Sequence, residues 1–142
     1  SVSRGLGDVY KRQQYSYSKE AIEYLKKETD ALGRNLKIIE IPVPTDLVMT
    51  KEEASSIQPG EGISRPAGNR LAASYINFYQ SKQFVIVPKF NVKEDEEAYS
   101  ILKNFYKEKD VYQLESREIL LGGGNIHCVT MQIPKEKEEH EN

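Results

Sequence analysis

The sequence predicts an α/β fold built around a strand–strand–helix–strand unit. Two β-rich runs, residues 74–79 and 84–87, flank a short polar segment at the spacing of an antiparallel hairpin. Apolar residues then recur at helical spacing over Ala98–Phe105. A short strand over Val111–Leu114 follows, so helix and strand alternate as is typical of α/β proteins.

Asn77 and Asn91 both lie within this unit, and only one of them has a role that the sequence predicts. Asn91 precedes Glu94 at the spacing of a capping box, which predicts the start of the helix there. Asn77 lies in the first predicted strand, and nothing in the sequence assigns it to a site.

Two further elements are expected upstream. Apolar residues at helical spacing predict a helix over Ser18–Leu32, which Gly33 would end as a left-handed cap. A run rich in isoleucine and valine predicts a strand over Leu36–Val43, and a loop rich in proline and glycine then runs to Asn69. A helix followed by a strand is the second half of the same kind of unit. The element order therefore predicts about one complete ββαβ module and part of another.

The C-terminal part of the chain carries a triple glycine, Gly122–Gly124, and then a stretch predicted as a strand over Asn125–Ile133. Alternate residues of a strand face opposite ways. One face would carry Ile126, Cys128, Thr130 and Gln132, and the other His127, Val129, Met131 and Ile133. His127 would then point away from Cys128, and we expect it to be a core residue rather than a catalyst.

The two ends of the chain are set apart from the fold. Asp8–Gln13 corresponds to the translation of GAT GTG TAT AAG AGA CAG, a transposon-end sequencing adapter. We interpret residues 1–13 as an adapter-derived or disordered segment, and the chain after it as a piece of a longer protein. Residues 135–142 form an almost wholly charged tail that we expect to fray.

Composition excludes several classes of partner and cofactor. The net charge is −2 and the basic residues are dispersed, so we expect no nucleic-acid partner. No apolar run approaches the ~20 residues that span a bilayer and no signal pattern opens the chain, so we expect no membrane partner and a cytoplasmic location. With one cysteine and two histidines, neither a disulfide nor a structural zinc site is expected, and no metal or organic cofactor is implied.

The single cysteine, Cys128, is the candidate catalytic residue. Glycines leave a turn without side-chain cover, so a ligand can approach the backbone closely beside the thiol. A thiol needs a cationic neighbour, a helix N-terminus or a base to ionise at neutral pH, and His140 in the charged tail is poorly placed to be that base. Two interpretations stay open at this point. Cys128 is either a nucleophile whose partners lie outside the chain, or a structural thiol.

Three stretches of the chain carry a family resemblance. They are Arg65–Tyr79, the strand that ends in Val85–Pro88, and Glu118–Cys128. Over about Thr29–Gln132 the chain resembles the agmatine deiminases of the bacterial peptidylarginine-deiminase family. The glycine-rich turn joined to Asn-Ile-His-Cys is the most specific part of that resemblance.

The resemblance implies a pentein fold, a propeller-like ring of ββαβ modules with the site in a central channel. Residues 14–134 would be the C-terminal part of such a domain. The expected fold class is therefore α/β, as a fragment of a pentein α/β-propeller.

The resemblance also implies an activity, the hydrolysis of the guanidinium of agmatine to N-carbamoylputrescine and ammonia in polyamine biosynthesis. Cys128 would be the nucleophile that forms a covalent amidino intermediate, and Gly123, Gly124 and Asn125 would bind substrate. In the family, the substrate-binding carboxylates and the catalytic histidine lie upstream of the matched region. The isolated chain would accordingly be an incomplete, inactive fragment.

Two alternatives to agmatine hydrolysis remain. The protein could act on peptidyl or free arginine, because the residues that would discriminate these substrates are not in the chain. It could instead be a non-catalytic α/β fragment with a structural thiol. The expected partner is a small cationic guanidine, and a homo-oligomer is left open.

Overall fold

The computed structural model describes residues 2–4, 9–45, 47–57 and 66–133. None of the helices in this part of the chain combines the length and the apolar character that crossing a bilayer requires. The predicted charged tail over 135–142 lies outside the described residues. In chain order the elements are β1 Val2–Arg4, α1 Val9–Leu25, β2 Glu40–Pro42, α2 Lys51–Ser56, β3 Tyr79–Gln80, β4 Phe84–Lys89, α3 Glu94–Phe105, β5 Asp110–Glu115 and α4 Arg117–Leu121, followed by a 3₁₀ turn at His127–Val129.

The predicted ββαβ unit is confirmed. Strands β3, β4 and β5 form a sheet in that order, with β3 antiparallel to β4 and β5 parallel to it. Two strands that run parallel require a crossover connection, and α3 supplies it. The first strand of the hairpin is much shorter than predicted, because only Tyr79 and Gln80 pair with β4.

The core lies between the sheet and α3. Val85 and Val87 of β4 are fully buried, as is Ala98 of α3, and Leu102 one turn later is 2% exposed. The apolar stripe of the helix covers this face of the central strand. Both elements therefore need apolar residues, and the sequence pattern could predict them.

The capping box predicted at Asn91 and Glu94 is wrong, although the helix it was meant to begin is present. Asn91 has a left-handed φ of 59°, and the Glu94 carboxylate accepts hydrogen bonds from Thr45 instead. The buried Asp95 instead fixes the segment that leads into the helix. Its carboxylate accepts the backbone N–H groups of Phe90 and Val92 and, at 2.7 Å, the hydroxyl of Tyr75.

The Tyr75 hydroxyl stays protonated beside this carboxylate. Burial, and then the hydrogen bond to Asp95, raise the pKa of Tyr75 above its usual range. Tyr75 is 1% exposed, so the segment that follows it is anchored to the start of α3 through a buried hydrogen bond.

The upstream elements differ from the prediction. Helix α1 begins at Val9, within the segment set apart from the fold, and ends at Leu25 rather than Leu32. Gly33 does adopt a left-handed φ of 73°, but it lies in a turn that Asp30 organises by accepting the N–H groups of Leu32 and Arg34. The predicted strand over 36–43 is reduced to β2, which pairs in parallel with β1.

The predicted loop up to Asn69 contains the helix α2. Thr50 and Glu53 form a true capping box, because the Thr50 hydroxyl accepts the Glu53 N–H and the Glu53 carboxylate accepts the Thr50 N–H. The helix has no buried residue, so apolar periodicity could not reveal it. Residues 58–65 of the predicted loop lie outside the described residues.

The strand predicted over Asn125–Ile133 is wrong. Helix α4, which the sequence did not reveal, precedes the glycines, and a 3₁₀ turn at His127–Val129 follows them. The predicted alternation of faces fails with the strand. Ile126 is buried, whereas His127, Cys128 and Val129 are all exposed.

Candidate active site

Helix α4 directly precedes the glycine turn that leads to the thiol. The helix ends as the N–H of Gly122 bonds to the carbonyl of Ile119 and that of Gly123 to the carbonyl of Leu120. Gly123 has a φ of 94°, which a side chain would strain. Leu120 is buried in the core, so the glycine turn starts from a fixed position.

The turn closes on itself around Cys128. The N–H of Val129 donates to the carbonyl of Asn125 at 3.2 Å, and the N–H of Thr130 donates to the carbonyl of His127 at 3.1 Å. Ile126, 4% exposed, packs inward and leaves the Cys128 side chain at the surface. An exposed thiol in a hydrogen-bonded turn is accessible to a reagent or a substrate.

Gly124 provides the space that the thiol occupies. A Cβ on this residue would lie 2.7 Å from the Cβ of Cys128 and 3.1 Å from its Sγ. The first distance is shorter than any ordinary carbon–carbon contact, so a side chain here would displace the cysteine.

Asn77 contacts the cysteine turn through its side chain and its backbone. Its side-chain Nδ2 donates to the Sγ of Cys128 at 3.1 Å, and its Oδ1 accepts the Cys128 N–H at 3.3 Å. Its backbone carbonyl accepts the N–H of His127 at 3.2 Å. The sequence did not assign Asn77 to the site, and no local pattern could have done so because it lies 51 residues from Cys128.

Hydrogen bonds to the sulfur favour its ionised form. A backbone hydrogen bond from Asn125, followed by the Asn77 amide, lowers the pKa of Cys128 from its usual value, and partial burial opposes the shift. The thiol is therefore more readily ionised than an ordinary surface cysteine, although no base among the described residues is hydrogen-bonded to its sulfur.

The environments of His127 and Asn125 differ. His127 is exposed, so its assignment to the core is wrong. Asn125 is fully buried, and its Oδ1 accepts the N–H of Ile126 while its Nδ2 has no partner among the described residues. His140 lies outside the described residues.

A groove of about 900 Å³ adjoins the turn but does not contain the thiol. It is lined by side chains of the β3 region and of the chain after the turn, among them Phe78, Lys82, Lys109, His127 and Met131. Two lysines make this groove unfavourable for a cation. A cationic ligand of the thiol would approach from elsewhere.

Within the part of the chain that the structure describes, no group of histidine, cysteine, aspartate or glutamate residues is arranged to hold a metal ion.

The fold and the site define a partial α/β domain that presents an exposed thiol, polarised by hydrogen bonds, on a glycine-bounded turn. The chain belongs to the Porphyromonas-type peptidyl-arginine deiminase family, whose sequence profile matches residues 6–134.

Two curated relatives carry the name agmatine deiminase. "Putative agmatine deiminase 1" of Listeria monocytogenes is 46% identical over 86% of this chain and 34% of its own length. "Putative agmatine deiminase" of Photobacterium profundum is 43% identical over the same shares of both chains. The chain thus spans about a third of the length of the curated relatives it matches.

Solved structures show the same similarity. Agmatine deiminase of Enterococcus faecalis, described as catalysing its reaction, is 31% identical with a TM-score of 0.78 over 92% of this chain and 36% of its own. A C. jejuni agmatine deiminase with substrate bound has a TM-score of 0.58 over 89% of this chain and 30% of its own. At 21% identity, that second likeness concerns the fold alone.

Proposed function

We propose that this chain is part of an agmatine deiminase and supplies its nucleophile, Cys128. The observation that carries the proposal is an exposed thiol, with a lowered pKa, held in a glycine-bounded turn of a chain whose relatives are agmatine deiminases. We call the longer protein, of which the chain would form part, the completed protein. Its fold would be a pentein ring of ββαβ modules.

The first half-reaction forms a covalent intermediate. The Cys128 thiolate attacks the guanidinium carbon of agmatine, so that a carbon–sulfur bond forms and the guanidinium becomes tetrahedral. A general acid protonates one nitrogen, the carbon–nitrogen bond breaks and ammonia leaves. The product of this step is an amidino-thioether on the cysteine.

The second half-reaction regenerates the thiolate. A water molecule, deprotonated by the same group acting as a base, adds to the amidino carbon. The carbon–sulfur bond then breaks, the electron pair returns to sulfur, and N-carbamoylputrescine is released. The sum is agmatine plus water to N-carbamoylputrescine plus ammonia. The acid–base group and the carboxylates that grip the guanidinium would come from the rest of the completed protein.

The turn residues would face the substrate. A guanidinium offers only hydrogen-bond donors, so the carbonyl oxygens of Gly123, Gly124 and Asn125 are the groups suited to bind it. The side-chain Nδ2 of Asn125 is itself a donor, so it is not suited to bind a guanidinium. The positive charge of the substrate would further favour the thiolate beside it.

The test of this proposal is agmatine turnover by the completed protein, measured as release of ammonia and of a ureido product. We expect turnover in the wild type and its loss in Cys128→Ala, with the thermal unfolding transition unchanged. A fully active Cys128→Ala variant, or a wild type with no turnover, would refute the proposal.

The substrate class is tested in the same assay. The family profile bears the name of a peptidyl-arginine deiminase, whereas the relatives bear the name of agmatine deiminases. We therefore compare kcat/KM for agmatine, free arginine and a peptide containing arginine. We expect the highest kcat/KM for agmatine. A higher kcat/KM for free arginine or for the peptide would favour the alternative arginine deiminase activity.

Thiol labelling separates an active site from a non-catalytic fragment. In native buffer, iodoacetamide should label Cys128 of the completed protein quickly, and agmatine should slow that labelling. Labelling that appears only after denaturation would indicate a structural thiol, an interpretation that the exposure of Cys128 already disfavours.

A further inference from the structure

We infer that Asn77 is a positioning residue, which holds the Cys128 sulfur in place and favours its thiolate form during the reaction. The inference deepens the proposed function and rests on it where turnover is concerned. Its effect on the thiol itself can be measured without turnover.

Asn77 contacts the cysteine turn through three separate groups. Its backbone carbonyl fixes the N–H of His127, its Oδ1 fixes the N–H of Cys128, and its Nδ2 reaches the Sγ of Cys128. A backbone N–H can only donate, so Oδ1 must face the Cys128 N–H. The Nδ2 group is thereby turned to the sulfur, and the reverse orientation of the amide would place two donors together.

Asn77 is itself held from both sides. Tyr75 is buried and bonded to Asp95, and the Phe78 ring packs edge-on against Tyr106 with 5.9 Å between ring centroids. The N–H of Asn77 also closes a turn to the carbonyl of Ser74. The side-chain amide therefore lies on a segment that is fixed to the ββαβ core. Its hydrogen bonds restrain the position of the Cys128 sulfur.

The chemical consequence follows from the direction of the hydrogen bond. An amide N–H donated to sulfur stabilises a thiolate more than a neutral thiol, because the charged acceptor forms the stronger bond. The bond weakens as the sulfur gives its electron pair to the guanidinium carbon, and it strengthens again when the thiolate is expelled. Asn77 would thus hold the resting nucleophile and assist its departure.

Variants at position 77 separate the contact of Oδ1 with the Cys128 N–H from the contact of Nδ2 with the sulfur. Asn77→Ala removes both side-chain contacts. Asn77→Asp keeps an oxygen for the Cys128 N–H but replaces the donor with a negative charge. Asn104→Ala, on the exposed side of α3, is the matched control.

The measurement is the rate at which iodoacetamide alkylates Cys128 as a function of pH, followed on the Cys128 peptide by mass spectrometry in the completed protein. For Asn77→Ala we expect the midpoint of the profile to move to higher pH, with alkylation about fivefold slower near neutral pH. Well above the midpoint its rate should exceed that of the wild type, because a thiolate without the hydrogen bond is the stronger nucleophile. Asn77→Asp should be slower still near neutral pH, and Asn104→Ala should match the wild type.

Alkylation profiles of the wild type and Asn77→Ala that cross as the pH rises would show that the amide bonds to the thiolate. Unchanged profiles in both Asn77 variants would overturn the inference. Faster labelling of Asn77→Ala at every pH would also overturn it, because that result indicates a merely loosened turn.

Turnover provides the second measurement. In the completed protein, Asn77→Ala should lower kcat about tenfold with KM changed by less than about twofold, since the amide acts on the nucleophile and not on the substrate. A wild type without agmatine turnover would refute the proposed function only, because the alkylation profiles decide the role of Asn77 independently.

Discussion

At the scale of single residues, the site consists of contacts that hold one sulfur atom. Gly124 leaves the volume that the Cys128 side chain fills, and the side-chain amide of Asn77 donates to the sulfur. The glycine is thus needed for the cysteine itself, beside any role in admitting a ligand.

This packing predicts the effect of Gly124→Ala. The new Cβ would approach the Cβ of Cys128 to 2.7 Å, so the cysteine must leave the position in which the Asn77 amide reaches its sulfur. A displacement of about 1 Å at a reacting atom costs about a hundredfold in rate. We expect a loss of agmatine turnover of that order in the completed protein, with slower alkylation of Cys128 near neutral pH.

Gly33→Ala is the matched control. This glycine has a left-handed φ of 73° and nothing within 4 Å of the position of a Cβ, so alanine there adds only backbone strain and meets no atom of the thiol. It should cost about 1–2 kcal/mol of stability and leave turnover unchanged. Equal losses of turnover in both variants would show that the Gly124 effect is not specific to the thiol.

At the scale of elements, an ion pair joins α2 to α4, the helix that leads into the site. The Arg117 Nε lies 2.6 Å from Oε1 of Glu53, and its terminal nitrogen donates both to Oε2 of Glu53 and to the carbonyl of Val48. The Glu53 carboxylate also caps α2 through the Thr50 N–H. One glutamate therefore begins one helix and fixes the first residue of another.

The pair makes stability depend on pH. The hydrogen bond from Arg117, and then the Thr50 N–H, lower the pKa of Glu53 from 4.5 to about 2. The folded protein therefore binds this proton more weakly than the unfolded chain does. The stabilisation is complete above pH 4.5 and is lost as the pH falls towards about 2.

We expect Glu53→Gln to remove this dependence. The difference in free energy of unfolding between wild type and variant should be constant above about pH 5 and should shrink below it, as measured by urea unfolding of the completed protein. Glu52→Gln, on the exposed side of the same helix, keeps the Arg117 pair and should keep the wild-type decline. A difference that stays constant down to about pH 3 would contradict the role given to Glu53.

At the scale of the whole molecule, the described residues leave much apolar surface uncovered around the site. Met131 and Ile133 are each 87% exposed and Val129 is 67% exposed, directly after the cysteine. Large apolar side chains grouped in this way mark a surface that packs against something else. In the proposed ring, other modules would cover it.

The 142-residue chain alone should therefore be marginally stable. We expect a broad thermal unfolding transition and self-association on size-exclusion chromatography, because exposed apolar residues and strand edges favour contacts between copies. Replacing Met131→Lys together with Ile133→Lys should reduce the self-association. A cooperative transition of a monomeric wild-type chain would contradict this expectation.

How far the fold could be predicted varies from element to element. Helix α3 has apolar residues at helical period, and both this helix and the strand predicted over Val111–Leu114 are confirmed. Helix α2 buries nothing, and α4 is only five residues long, so neither has a periodic pattern to find. The strand predicted after the glycines was wrong because its apolar residues lie on an exposed turn that only resembles a strand in composition.

The sequence by itself determined the ββαβ order, the family, and Cys128 as the candidate nucleophile, because these depend on local periodicity and on a contiguous motif. The tertiary structure alone decided what surrounds the sulfur. Asn77 lies 51 residues from Cys128, and Glu53 lies 64 residues from Arg117. Such contacts depend on how the folded elements pack, and a hydrogen bond between distant residues has no spacing that a sequence pattern can reveal.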